Sequence, residues 1–378
     1  MSPSLRIGAM GFGLIAVCYG FARFAFGMFL PEIDADLTLG PTLSGVISGG
    51  SFLGYCIAIV ASAILTERFG ARAIATMAAI VAAFGMAGIA LAPSAMWLAA
   101  AVLLAGSSTG LASPPMAAAV AAAVQQKRQD ATNAAINAGT SAGVALSGPI
   151  ALAMAGQWRL AFAAFSAVAI VLAIAAAFSL PASRGGKDAG GLPPLSGTVL
   201  RLLAATFLMG VASTALWSFG GQLVSQRLGW GTTGTGILWS LIGAGGIAGA
   251  WAGSLVARFG LDRVHWAFLG LMAVATFVVG SGVMMPALIL IGGVFFGAAY
   301  VMLTGVYLIW GVRALPESPA TGLTIGFLTI AIGQTAGAPI FGLLLGVLGA
   351  NPAVMVFATV ALAAGLFQPL DNASKAIA

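Results

Sequence analysis

Along the chain, apolar residues come in stretches of about 20 or more, broken by short segments rich in glycine, proline and charge. The stretches fall near 8–30, 42–65, 73–92, 95–122, 132–154 and 159–180, then near 198–224, 232–256, 264–283, 286–312, 320–347 and 352–370. A hydrocarbon core of about 30 Å is crossed by about 20 apolar residues in a helix. The pattern therefore predicts an all-α integral membrane protein of twelve transmembrane helices, with one six-helix bundle over 1–180 and a second over 198–378. The polar segment 181–197 carries Arg184-Gly185-Gly186-Lys187-Asp188 and Pro193-Pro194 and reads as a linker between the bundles. The first apolar run is too long for a signal-peptide core and has no convincing small-residue cleavage site, so it reads as a retained helix.

Composition agrees with this reading. Hydrophobic residues make up 60% of the chain and charged residues 6%, which excludes a water-soluble domain. The 53 glycines lie among alanines inside the apolar runs, where small residues let helix backbones approach closely in lipid. A net charge of +6 does not point to nucleic acid, because the basic residues sit in the breaks. With the N-terminus inside, twelve lysines and arginines, from Arg6, Arg68 and Arg72 to Arg313 and Lys375, fall on the inner side. Only Arg159 and Arg227 fall outside, so both termini are expected in the cytoplasm of a cell bounded by an inner membrane. Cys18 and Cys56 lie within apolar runs and suggest neither a disulfide nor a metal cluster. No cofactor is called for, and a monomer in the lipid bilayer is expected.

Landmarks recur at one constant offset along the chain. Arg68-Phe69-Gly70 returns as Arg258-Phe259-Gly260, Gly20 as Gly210, Gly143 as Gly333 and Pro149 as Pro339. An even number of helices per half gives both halves the same orientation, the parallel repeat found in major facilitator carriers. The chain resembles the major facilitator superfamily over essentially its whole length. The family's loop signature after the second helix is met by Arg68, Gly70 and Arg72, with Glu67 in place of aspartate and with Ala63 and Ala71 departing from it. The resemblance implies that Glu67, Arg68, Gly70 and Arg72 help close the cytoplasmic gate. The alternative for the arginines is plain anchoring on the inner side. It further implies a central cavity lined by the first, second, fourth and fifth helices of each half, with the third and sixth toward lipid. Gly148-Pro149 partly matches a signature of the family's drug and proton antiporters, and a bend for helix packing is the preferred reading of it.

Arg23 stands out as the one ionisable side chain deep in a predicted helix. Such a charge costs about 2.5 to 3.5 kcal/mol on insertion scales and marks a functional site by default. Its planar fork of donors suits a carboxylate or phosphate. At helical spacing it shares a face with Tyr19, Gly20, Phe26 and Gly27, where glycines admit a ligand or a partner helix. Two structural alternatives stand beside this: snorkelling to the outer headgroups, or anchoring to carbonyls of the fifth helix or of the fourth, where Pro114-Pro115 interrupts the ladder. Asn137, Trp217 and Gln222 are further candidate contacts, as are Tyr300 and Tyr307 on an aromatic face with Thr304 and Trp310. Trp310 fits an interfacial belt. His265 is placed at the cytoplasmic edge of its helix. If protons are coupled, Glu32, Asp34, Glu67 or the substrate's own carboxylate must bind them. Two functions are expected: a carrier of a small organic anion by alternating access, or a proton-linked exporter of hydrophobic drugs or metabolites. A non-transporting sensor is a third class. An enzyme is not expected, since no nucleophile and base or metal set is present.

Overall fold

The computed structural model describes residues 2–154, 156–181, 196–282 and 285–368. Most of the expected linker, including Arg184 and Lys187, lies outside the described residues, as does Lys375. The first helices are α1 (Pro3–Leu37), α2 (Gly40–Phe69), α3 (Ala71–Ala90), α4 (Ala95–Ala123), α5 (Gln126–Ala153) and α6 (Trp158–Ser179). After 196 follow α7 (Gly197–Trp217), α8 (Gly220–Leu228), α9 (Gly231–Phe259), α10 (Leu261–Gly280), α11 (Pro286–Ala314), α12 (Pro319–Leu348) and α13 (Ala350–Ala363).

Local chemistry sets the ends. Ser2, Ser94 and Ser196 cap α1, α4 and α7 by accepting from the backbone N–H three residues on. Pro3, Pro286 and Pro319 stand at first helical positions, where no N–H is missed. Gly70 and Gly260, equivalent positions of the repeat, turn the chain between consecutive helices with the same φ of 86°, a left-handed value that disfavours any side chain. That shared turn is the backbone reason for the glycine of the repeated Arg-Phe-Gly triplet. Among the described residues ten helices are long and apolar enough to cross a membrane: α1 to α4, α6, α7 and α9 to α12. The predicted segment near 132–154 lies in α5, whose first turns carry Lys127, Arg128 and Asp130. The predicted 352–370 shortens to α13, because the chain tightens into a 3₁₀ turn at Ala364–Leu366.

Two predicted helices depart from regularity at the centre. In α1 the stretch Ala16–Phe24 winds as π-helix, a local widening that recurs at functional sites. The expected single helix at 198–224 breaks at Ser218–Phe219 into α7 and α8. The break lies where Ser48 Oγ of α2 donates to Ser218 Oγ at 2.7 Å. Pro114 and Pro115, by contrast, leave α4 continuous from Ala95 to Ala123.

We call the end of the bundle where α1 begins proximal and the opposite end distal. Residues 3–180 pack on 197–366 through the distal ends of their helices. A Cβ on Gly27 would run into the carbonyl of Trp217, one on Gly148 into that of Gly236, and one on Gly342 into that of Pro41. Toward the middle, a Cβ on Gly49 would come within 2.9 Å of Thr335 O. These backbone-to-backbone approaches between helices are what glycine permits in lipid. Phe84 of α3 and Val171 and Phe178 of α6 point outward at 68, 67 and 85% exposure, in keeping with lipid-facing third and sixth helices.

Candidate functional site

The π-helical stretch of α1 directs Arg23 into the contact between the two groups of helices, where it is 5% exposed. Its Nη2 donates to Gln334 Oε1 of α12 at 2.6 Å. Gln334, fully buried, donates both amide hydrogens, to Ser213 Oγ of α7 at 3.1 Å and to Tyr300 OH of α11 at 3.2 Å. One amide thus ties α1 to three helices from the other part of the chain. Ser213 stands as far along the chain from Arg23 as Gly210 does from Gly20, so the two residues share the offset of the recurring glycines.

Aromatic rings enclose the cation. The guanidinium carbon lies 4.5 Å from the ring centre of Tyr55, 4.9 Å from Phe52, 5.2 Å from Phe24 and 5.7 Å from Tyr19. Each ring face attracts a desolvated cation by up to about 2 kcal/mol, which offsets part of the cost of burying the charge without a carboxylate. Tyr19 OH pairs with Ser113 Oγ of α4 at 3.0 Å. Trp217 stacks on Phe24 at 4.1 Å and meets Tyr300 edge-on at 5.1 Å. Donors are left over in this apolar setting. Arg23 Nε and Trp217 Nε1 are buried without an acceptor. A buried donor left unmade costs about 1 to 3 kcal/mol, so the site is unsatisfied in a way that an acceptor-rich group relieves.

The structure brings Arg23, Tyr19, Trp217 and Tyr300 together, and it separates the other predicted contacts from them. Tyr307 lies two turns, about 10.5 Å of rise, nearer the proximal end, where α10 packs against α11. There it meets His265 Nε2 at 3.0 Å and donates to Ala205 O at 3.4 Å. His265 lies one turn into α10 and is fully buried, and Trp310 is 1% exposed beside it, with ring centres 5.8 Å apart, so Trp310 packs inside the protein and not in a lipid-facing belt. Gln222 sits beyond the break on α8, buried with Oε1 unpartnered, and no hydrogen bond joins it to Arg23, Gln334 or Tyr300. Asn137 is exposed, one turn proximal to Ser141, whose Oγ would lie 2.5 Å from a Cβ on Gly246.

Neither structural alternative for Arg23 holds. The side chain is buried between helices, and its hydrogen bond goes to Gln334 and not to a carbonyl of α4 or α5. The neighbouring glycines serve partner helices: Gly20 packs on Gly143 of α5 and Gly27 on the carbonyl of Trp217. Gln334, Tyr55 and Phe52 were missed by sequence reasoning. Gln334 had a signal, being the only amide side chain in the apolar run of α12. The rings had none that distinguishes them from packing.

At the proximal end, Glu67 is partly buried and makes no ion pair among the described residues, while Arg68 and Arg72 are exposed. The ion pair that is formed, Arg159 to Asp36 at 2.9 Å, lies at the distal end and is exposed. A cavity of about 490 Å³ opens between α3 and α6, lined by Thr76, Ala83, Phe84, Ser166 and Phe178. It faces outward and holds none of the predicted site residues.

Ten apolar helices around a buried polar tie define a multi-pass membrane protein with a site at mid-depth. The model of the Major Facilitator Superfamily matches residues 12–331, and the chain belongs to that family of transporters. A hexuronate transporter of Bacillus subtilis (strain 168) is 28% identical over 154 residues, 40% of this chain and 36% of that protein. The match thus spans about a third of that relative's length. The nucleoside transporter NupG superposes with a TM-score of 0.75 at 11% identity, over 97% of this chain and 98% of that one. The xylose transporter XylE from E. coli, in a partially occluded inward-open conformation, gives 0.78 at 14% identity over 96% of each.

Proposed function

We propose that this transporter carries a small organic anion, a solute bearing a carboxylate, by alternating access between its two six-helix halves, 1–180 and 198–378. The observation that carries the reading is Arg23: a permanent cation, 5% exposed, with no acid partner and no acceptor for Nε among the described residues. An anion supplies both charge and acceptors. Similarity to a hexuronate transporter, named for a sugar acid, points the same way. In this reading twelve helices cross an inner membrane with both termini in the cytoplasm, the proximal end is cytoplasmic, and the state described is closed outside. Glu67, Arg68, Gly70 and Arg72 then form the parted inner latch. The aromatic enclosure supports a second reading, proton-linked export of hydrophobic compounds. The two are separated by binding of carboxylates and of neutral or cationic drugs to the wild type and to Arg23→Ala. Acid binding lost in the variant supports the anion carrier; drug binding unchanged in it supports export and leaves Arg23 structural.

A further inference from the structure

We propose that Gln334 is a placeholder for the substrate's carboxylate, and that its displacement makes the carrier prefer hydroxylated acids over plain ones. The inference rests on the anion-carrier reading and adds what the acid must bear. Nε and Nη2 lie along one edge of a guanidinium, the edge that a carboxylate grips with two oxygens. Gln334 Oε1 fills only Nη2, at 2.6 Å, and leaves Nε beside it buried and empty. The amide cannot turn to serve both, because its two hydrogens are committed to Ser213 and Tyr300. A neutral carbonyl therefore occupies half of a site whose full complement is a carboxylate.

An arriving carboxylate that takes the Nε/Nη2 edge evicts Oε1 from its donor. Gln334 is fully buried, so the evicted oxygen has no water to turn to. A hydroxyl on the carbon next to the carboxylate donates to it; a plain acid leaves it unpaired. Tyr300 accepts from Gln334 and has its own hydrogen uncommitted among the described residues, so it serves the same anion.

The test measures Kd on the purified full-length protein for two acids with a hydroxyl on the carbon next to the carboxylate, D-gluconate and 2-hydroxyhexanoate. Two acids of similar size without hydroxyls, cyclohexanecarboxylate and hexanoate, serve for comparison. The proteins are wild type, Gln334→Met, Gln334→Glu and Arg23→Ala. The wild type is expected to favour the hydroxylated acids by about tenfold or more, the cost of one unpaired buried acceptor. In Gln334→Met that ratio falls to about twofold or less. In Gln334→Glu the new carboxylate fills the edge and all four acids weaken by about 100-fold. A wild-type ratio in Gln334→Met, or wild-type affinities in Gln334→Glu, overturns the role of Gln334 while Arg23 dependence still stands. If no acid binds the wild type, or Arg23→Ala binds all four equally well, the anion-carrier reading fails and takes this inference with it.

Discussion

Two of the buried polar clusters in the apolar interior differ in which helices they join. The Arg23–Gln334 cluster ties α1 to α7, α11 and α12, across the contact between the halves, and leaves donors unfilled. The His265–Tyr307 cluster joins α7, α10 and α11 within one part of the chain. Hydrogen bonds inside one rigid unit survive a rocking motion, whereas those across the moving contact must be exchanged in every cycle. A buried group whose partners change needs a substitute in each state, which a substrate provides. On the proposed reading, position relative to the contact between the helix groups, more than burial or polarity, separates a transport site from a structural tie.

The largest effect expected from breaking this contrast is at Arg23. Arg23→Ala should lower gluconate uptake into proteoliposomes by about 100-fold or more, and Arg23→Lys, which keeps charge but loses the fork, by about tenfold. Uptake by Tyr307→Phe should stay within about threefold of wild type, since its hydroxyl serves a contact inside one half. A side chain at Gly27 collides with the carbonyl of Trp217 and should wedge the distal contact open. Gly27→Val is expected to widen spin-label distances across the distal end by several ångströms, about one side-chain layer, and to cut uptake about tenfold. His265→Phe should cost about 1 to 2 kcal/mol of stability, read by thermal unfolding, and leave acid Kd unchanged. Glu67→Gln should slow turnover a few-fold, about the worth of a surface charge contact, with Kd unaffected; unchanged turnover removes the gating role. The smallest effect is at the exposed pair: Asp36→Asn should change stability by less than about 1 kcal/mol.

Much of the candidate site was legible from residue chemistry. Arg23 was conspicuous because a lone charge in an apolar run has few reasons to exist. Tyr19 followed from its spacing, and Trp217 and Tyr300 from their setting on polar helical faces. Tyr307 followed from the same periodicity as Tyr300 and was misplaced, because a shared helix face does not fix which neighbour it meets two turns away. His265 and Trp310 were assigned to an edge from their distance to charged residues. In the folded protein α10 and α11 close over both, and the pair shields itself through ring contacts and one hydrogen bond.

The sequence by itself determined which segments become helices, since runs of apolar residues in lipid have only one way to satisfy their backbone. It determined the turns at Gly70 and Gly260, which need a residue without a side chain, and it exposed the constant-offset repeat that pairs Arg23 with Ser213. Tertiary structure alone decided the partner of Arg23. Gln334 lies 311 residues away, and nothing local to either residue encodes their meeting. It alone decided the break at Ser218–Phe219 and the π-helical turn around Arg23, because both answer to helices packed against them. Local sequence sets the backbone's hydrogen bonding, but which buried side chains satisfy each other depends on how glycine-lined helix faces cross.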